Sequence, residues 1–159
     1  SFYYHDHELK NVNRMVYDIK DFNKLPEQPV VERRVPTKDG KEIELLELSH
    51  ICGTVLDKNK LKNSISLLTP TGVVTVKIWK NQFAKYDKQI SEIQADGKKK
   101  VREKSWFSRG NLLYLQGVRR GDTFIPKAYK GSLHRVPIMK IISIEGDKIT
   151  YTDKRYDEV

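Results

Sequence analysis

Cysteine is nearly absent from this chain of 159 residues, in which Cys52 is the only thiol. A single cysteine excludes an internal disulfide framework and is typical of a reducing compartment. Long apolar runs are also missing, because stretches such as Leu112-Leu113 are far too short to cross a bilayer. A secretory signal, with a charged start and a small-residue cleavage site, is not visible either. We therefore expect a cytoplasmic protein with no membrane partner.

Signatures of catalysis and of metal binding are equally scarce. His5 and His7 have a His-x-His spacing, but two ligands do not make a metal site. Cys52 has no neighbouring His and Asn that would activate it as a nucleophile, and Asp57 and Asp87 are isolated carboxylates. A Gly-rich phosphate loop is absent. The sequence therefore predicts a non-catalytic chain that needs no metal or cofactor.

Acidic residues are few in the second part of the chain. The formal net charge is +9, but residues 1–56 carry 8 Lys/Arg and 10 Asp/Glu, whereas residues 57–159 carry 22 and 11. Because the excess positive charge is concentrated in one region, the pattern indicates a polyanionic partner, which favours nucleic acid.

The N-terminal third has the features of a lead-in segment. Its start at Ser1 rather than Met leads us to expect a piece of a longer protein. Four apolar residues at helical spacing predict a short helix: Leu9, Val12, Val16 and Ile19. Three prolines then predict an extended connector over residues 26–36, and Asp39-Gly40 predicts a hairpin between residues 33–35 and 43–45.

From residue 44 onward the pattern is a series of short strands. We expect strand 1 near residues 48–56, strand 2 at residues 64–69, strand 3 at residues 73–79, strand 4 at residues 111–118, strand 5 at residues 136–144 and a final short strand at residues 149–152. A polar loop at residues 57–63 connects strands 1 and 2. A long loop rich in cations and aromatics connects strand 4 to residue 135.

One helix interrupts the strands. Asn81 can cap it, and Phe83, Tyr86, Ile90 and Ile93 form one apolar stripe. Residues 96–100 end it, and the basic run at residues 98–100 is expected to be a mobile loop over about residues 95–104. A helix between strands 3 and 4 of a five-stranded Greek-key barrel is typical of the OB-fold. We thus predict a mainly β protein with a lead-in at 1–43, an OB domain at 44–153 and a tail at 154–159.

Several segments resemble the OB domain of bacterial DNA polymerase III alpha subunits. They are HICGTV at residues 50–55, SLLTPTG at 66–72, the strand at 73–79, Phe83, NLLY at 111–114 and GVRRGD at 117–122. The segment FYYHDHEL at residues 2–9 resembles the helical lead-in of that family, although His7-Glu8-Leu9 stands where the family usually has His-Pro-Leu.

The resemblance implies a region of a replicative DNA-directed DNA polymerase, a nucleotidyltransferase, that lies outside the catalytic palm. It implies a domain that handles the single-stranded template and carries no magnesium-binding palm carboxylates.

OB barrels bind strands on the face of strands 2 and 3 and on the loops between strands 1–2 and 4–5. Cations neutralise phosphates there, and flat rings stack on bases. The residues that fit these roles are Lys58, Lys60, Lys62, Lys77, Trp79, Arg119, Arg120, Phe124, Lys127, Tyr129, Lys130 and Arg135. Trp79 points outward if Val74, Val76 and Ile78 point inward, but it could also pack beneath the lead-in segment.

Three functions remain open. The first is single-stranded DNA binding, with a monomeric chain. The second is a protein-interaction module for a replisome partner, and the third is an RNA-binding OB domain of the anticodon-binding kind. The Trp106-Phe107 pair is interpreted as a structural anchor for its loop.

Overall fold

The computed structural model describes residue 9, residue 12 and residues 14–158. The described elements are mostly strands: α1 (Arg14–Tyr17), β1 (Val31–Pro36), β2 (Glu42–Leu46), β3 (Ser49–Asn59), β4 (Ser64–Thr69), β5 (Gly72–Lys77), α2 (Lys80–Asp87), β6 (Ile90–Ile93), β7 (Lys99–Glu103), β8 (Leu112–Arg120), β9 (Thr123–Pro126), β10 (Ile138–Glu145) and β11 (Lys148–Thr152). Two short 3-10 turns lie at Phe22–Lys24 and Tyr156–Glu158.

Five strands close into a barrel. Antiparallel pairing joins β3 to β4 and β4 to β5, and β5 then pairs in parallel with β9, with Thr75 opposite Thr123. The ring closes because β9 pairs with β8 and β8 pairs with β3, both antiparallel. With α2 between the third and fourth barrel strands, this architecture confirms the predicted mainly β, OB-type fold.

The prediction that residues 136–144 form the fifth strand of the barrel is wrong. The barrel closes through β9, which lies inside the segment that was expected to be the loop between strands 4 and 5. That loop is therefore only the Gly121-Asp122 turn. The segment predicted as strand 5 is β10, which pairs with the first half of β8 outside the ring and carries β11 on its other edge.

Two glycines let barrel strands change partners. β3 pairs with β8 up to Thr54 and with β4 beyond it, and a Cβ on Gly53 would lie 2.5 Å from the carbonyl oxygen of Leu68. β8 passes from β10 to β9 at Gly117, where a Cβ would overlap the carbonyl oxygen of Ile125. Only glycine fits at either position without displacing backbone.

The helix is shorter than its apolar stripe predicted. α2 ends at Asp87, and its N-cap is Trp79 rather than Asn81, with no side-chain capping bond. Ile90 and Ile93 belong to β6, which pairs with β7 as a separate two-stranded sheet. The expected loop over residues 95–104 is therefore wrong: it contains a strand, although that strand is not part of the barrel.

The barrel interior is filled by one apolar cluster. Barrel-facing side chains of β3, β4, β5, β8 and β9 pack with Phe83 and Tyr86 of α2. Trp106 and Phe107 are fully buried in the same cluster, which confirms them as structural anchors. Tyr86 stacks on Trp106 with ring centroids 5.2 Å apart. Burial of such rings dominates the stability of a core of this size.

A second cluster lies outside the barrel, where the lead-in segment covers β8, β10 and β11. It contains Leu9, Val12 and Ile19 with Cys52 and Tyr114. Burial raises the pKa of the Cys52 thiol to about 12, so the thiol is an inert core group. Within the described residues, the predicted N-terminal helix is the single turn Arg14–Tyr17, and Val16 in it is exposed.

The hairpin predicted at Asp39-Gly40 is confirmed. β1 pairs with β2, with Val35 opposite Ile43 and Arg34 opposite Glu44, so the predicted extended connector ends in a strand. Every residue of β1 is exposed. In β2, by contrast, Leu45 and Leu46 are half-buried, so the hairpin contacts the rest of the protein at the end that leads into β3.

Candidate nucleic-acid interface

The half of the outer surface of β4 and β5 that lies nearer to α2 has a floor of small polar side chains, whereas the other half carries Leu68 and the exposed Val73. Ser64 lies opposite Lys77, and Ser66 lies opposite Thr75, on the side of the sheet away from the buried residues of both strands. Small side chains let a bound strand approach the sheet closely. We name this floor, together with the loop at residues 60–63, Trp79 and Arg120, the β4–β5 face.

One end of the face combines cations with an exposed ring. The backbone N–H of Ile78 donates to the carbonyl oxygen of Asn63 at 2.8 Å, which joins the loop after β3 to the start of α2. Lys62 and Trp79 are the next residues on either side of this bond. The Trp79 side chain is 70% exposed, and Lys77 is exposed as well. The predicted outward direction of both is confirmed, and together they offer a phosphate contact beside a stacking surface.

Asp87 at the end of α2 restrains part of this loop. Its carboxylate accepts a hydrogen bond from Lys58 at 2.7 Å and lies 3.8 Å from the ammonium of Lys60. Desolvation acts to raise the pKa of Asp87, but hydrogen bonds from Lys58 and Ser105, with the charges of Lys58 and Lys60, hold it below its usual value. Lys58 is therefore largely neutralised, whereas the Lys60 side chain stays 70% exposed.

Arg120 lies across the same surface from the loop. It pairs with Thr123 of β9, and Thr123 pairs with Thr75 of β5, so Arg120 stands two strands from Thr75. Neighbouring strands are about 4.8 Å apart, which gives a separation of about 10 Å along the surface. The exposed Asp57 opposite Ser66 reduces the positive potential between the two ends.

Arg119, the neighbour of Arg120, has a structural position instead. Its guanidinium donates to the carbonyl oxygens of Phe22, Leu25 and Gly121 and stacks over the Phe22 ring at 4.5 Å. These contacts hold the lead-in segment against the barrel. Since its Nε and Nη1 groups are engaged in these contacts, Arg119 has a structural role, and its role as a phosphate contact stays a prediction.

Of the two aromatic residues predicted beyond Gly121, Phe124 faces inward and Tyr129 is half-buried. Phe124 is fully buried in the barrel core, so its ring cannot stack on a base. The Tyr129 hydroxyl accepts a hydrogen bond from the backbone N–H of Leu46, and Lys127 lies over the Tyr129 ring at 5.7 Å. Tyr129 therefore connects the segment after β9 to the β1–β2 hairpin.

Lys130 and Arg135 are exposed but do not lie on the β4–β5 face. Lys130 lines a groove of about 390 Å³ between the β1–β2 hairpin and the segment after β9. They remain predictions as DNA contacts, but the structure does not bring them together with Lys62 and Trp79.

A buried polar network orders that segment and was missed from the sequence. The side-chain oxygen of Gln116 accepts a hydrogen bond from the backbone N–H of His134 and lies 3.0 Å from Nε2 of the His50 ring. The side-chain nitrogen of Gln116 donates to three groups of the segment at 127–134. His50 also lies 3.1 Å from Asp18. Gln116 lies within an ordinary strand pattern, so nothing in the sequence around it predicts that its side chain is buried in a hydrogen-bond network.

Within residues 9, 12 and 14–158, no three His, Cys, Asp or Glu side chains are grouped as a metal site would require. His5 and His7 lie outside the described residues, as does nearly all of the FYYHDHEL segment. None of the helices in the described part of the chain has the length and apolar character needed to traverse a bilayer.

Two curated relatives are named DNA polymerases. One is "Probable DNA polymerase YorL" of Bacillus subtilis (strain 168), and the other is "DNA-directed DNA polymerase" of Bacillus phage SPbeta. Each is 49% identical to this chain over 156 residues. The alignment covers 98% of this chain but 12% of each relative.

The chain thus spans a small part of the length of the curated relatives it matches. No family model and no solved structure matches it. The expected relationship to DNA polymerases is confirmed at the level of these names, while the III alpha assignment stays a prediction.

Proposed function

We propose that this chain is a non-catalytic DNA-binding module of a DNA-directed DNA polymerase and that its β4–β5 face holds single-stranded DNA. The observation that carries the proposal is the exposed Trp79 ring beside Lys62 and Lys77 at the edge of a small polar floor. Rings supply stacking and lysines supply phosphate contacts, the two contributions that single-strand binding combines.

The names and lengths of the curated relatives support the same assignment. Both are named DNA polymerases, and the aligned part is a small share of their length, as expected for one module of a large enzyme. The finer assignment, the OB domain of a III alpha type subunit in replication that handles the template strand, belongs to this proposal. It is supported by the closed five-strand barrel with α2 between its third and fourth strands.

The test measures binding of a labelled oligo-dT by fluorescence anisotropy over a salt series. Trp79→Ala should weaken binding by about 1–3 kcal/mol at every salt concentration, because stacking depends little on ions. Trp79→Phe is the matched control, since it keeps a ring and should retain most of the affinity. An RNA strand of equal sequence separates DNA preference from the RNA-binding alternative. Equal binding by the parent and the folded Trp79→Ala variant would show that Trp79 does not contact the bound strand.

One observation favours the alternative of a protein-docking module. The β1–β2 hairpin exposes Val35 and Ile43 side by side at its far end, at 37% and 53%. The same titration separates the two functions. If the parent chain itself fails to bind oligo-dT at low salt, the hairpin and protein docking become the better explanation.

A further inference from the structure

The hairpin formed by β6 and β7 is a charged feature that lies outside the β4–β5 face. We name residues 90–104 the basic hairpin. It leaves the barrel after α2 and returns before β8, and its two strands pair with each other and not with the barrel sheet. Ile93 near its far end is 79% exposed. It is therefore a two-stranded ribbon that projects from the domain.

Two of the three acidic side chains of the hairpin form ion pairs, and the third, Asp96 in the turn, accepts a hydrogen bond from the backbone N–H of Lys98. Glu92 pairs with Arg102, and Glu103 pairs with Arg155. Four exposed lysines of the hairpin form no ion pair among the described residues: Lys98, Lys99, Lys100 and Lys104. The hairpin thus presents uncompensated positive charge, and the partner it fits is an anion of high charge density.

The lysines lie on both faces of the ribbon. Lys99 is opposite Ile93 and Lys100 is opposite Glu92 in the pairing of β6 with β7. Because successive side chains of a strand point to opposite faces, Lys99 points to one side of the ribbon and Lys100 points to the other. A flat anionic surface would use only one of these sides. A groove with a phosphate wall on each side would use both.

The base of the ribbon is held firmly by Arg155. This side chain is fully buried, pairs with Glu103 at 2.6 Å and lies over the Trp106 ring at 5.6 Å. Its other hydrogen bonds go to backbone carbonyl oxygens of Lys85, Tyr86, Lys88 and Lys104. A charged donor satisfied on all sides fixes the elements it joins. The hairpin therefore leaves the barrel in a fixed direction rather than as a mobile loop.

The composition of the hairpin separates it from a single-strand site. Residues 90–104 contain no Phe, Tyr or Trp, so no ring is available for stacking on an unpaired base. Phosphate contacts alone suit a duplex, whose bases are already stacked and whose phosphates give one charge per about 1.7 Å of axis. The major groove is about 12 Å wide and admits a two-stranded β-ribbon.

We infer that the basic hairpin is a second DNA contact, which enters a groove of duplex DNA and binds the phosphates of both walls through its lysines. The inference does not depend on the single-strand site, because different residues carry it. A chain with both contacts would hold duplex and single strand at once, as at a junction between them.

The experiment uses the full chain and two labelled probes, a mixed-sequence duplex and oligo-dT of equal length. In the hairpin variant, Lys98→Ala, Lys99→Ala and Lys100→Ala are combined. The slope of log affinity against log salt for the duplex should fall by about 2–3, since each lost phosphate contact removes about 0.9. Binding of oligo-dT should stay close to that of the parent.

The matched control removes the same charge elsewhere. It combines Lys38→Ala, Lys41→Ala and Lys148→Ala, three exposed lysines at other β-turns, and should bind the duplex like the parent. Parent-like duplex binding by the hairpin variant, or an equal loss in the control, would overturn the inference. An equal loss for both probes would also overturn it, since the hairpin would then act on nucleic acid without selecting the duplex. Trp79→Ala, which should affect only oligo-dT, shows separately whether the single-strand site fails.

Discussion

The loop at residues 60–63 and the segment at residues 119–135 have similar chemistry in the sequence and different positions in the structure. Each is rich in cations and has aromatic residues in or beside it. In the first region Lys62 and the adjoining Trp79 point to solvent, whereas in the second Arg119 and Phe124 point into the protein. Residue type therefore indicates the chemistry that is available, but the topology decides whether a ligand can reach it.

The difference arises from one short strand. β9 has four residues, ends at Pro126 and pairs with β5 in parallel, so its partner lies far away in the sequence. In this arrangement Phe124 of β9 lies in the barrel core, and Arg119, which is paired with it, contacts the lead-in segment. Four experiments can test how sharply the two regions differ, and they are ordered by the size of the expected effect.

The largest effect should come from Phe124→Ala. Truncation of a fully buried ring removes its apolar burial and leaves a cavity, which costs about 3–5 kcal/mol. Trp79→Ala should change the free energy of unfolding by less than about 0.5 kcal/mol, because the ring is mostly exposed. Urea denaturation followed by circular dichroism measures both. Similar stability of the two variants would mean that Phe124 does not belong to the core.

The second effect compares the adjacent arginines. Arg119→Ala removes the donor to the carbonyl oxygen of Leu25 and one of the two donors to that of Phe22, and it should destabilise the fold by about 2–3 kcal/mol. Arg120→Ala, at an exposed position, should have little effect on stability and should weaken oligo-dT binding. Denaturation and anisotropy on the same samples give the two readouts. The reverse result, a stable Arg119→Ala variant with weak binding, would return Arg119 to the interface.

Local patterns were predicted well. The Asp39-Gly40 hairpin, β4 and the tight turn before β5 depend on neighbouring residues, and all are present. The helix was extended too far because Ile90 and Ile93 continue the spacing of Phe83 and Tyr86 although they lie in a strand. Apolar residues three or four apart satisfy the helical period by chance when the chain changes element between them.

Features that depend on distant partners were not predicted. β9, the burial of Arg155 and the Gln116 network each need contacts across the fold, which composition and period do not contain. At the β4–β5 face, strand alternation was enough to predict that Lys77 and Trp79 point outward, and Lys62 was predicted from its position in the polar loop after β3. The division into residues 1–43, 44–153 and 154–159 stays a prediction, and Arg155 in the last part is joined to α2 and β7.

A third, smaller effect concerns pH and the inward-facing region. Desolvation and the nearby His50 lower the pKa of His134, while Asp153 acts in the opposite direction. The folded state thus binds this proton less readily than the unfolded state does. Stability should therefore be highest above the ordinary histidine pKa of about 6.5 and should fall as the pH drops below it.

His134→Gln tests this by removing the titrating ring, which lies 3.1 Å from the Tyr114 hydroxyl. Melting temperatures of parent and variant are compared on either side of the ordinary histidine pKa. The variant should lose less stability on acidification than the parent. Equal losses would assign the pH dependence to groups other than His134.

The smallest effect compares two exposed lysines, one from each region. Lys62 lies beside the floor of the β4–β5 face, whereas Lys130 borders the groove next to the β1–β2 hairpin. If the face binds single-stranded DNA, Lys62→Ala should lower the slope of log affinity against log salt by about 0.7, the value for one phosphate contact on a single strand. Lys130→Ala removes the same charge and should leave the slope unchanged. Because both variants have the same net charge, any difference between them reports position alone. Equal slopes would show that long-range attraction, rather than contact at the face, governs binding, and a larger change for Lys130→Ala would move the binding surface to the segment after β9.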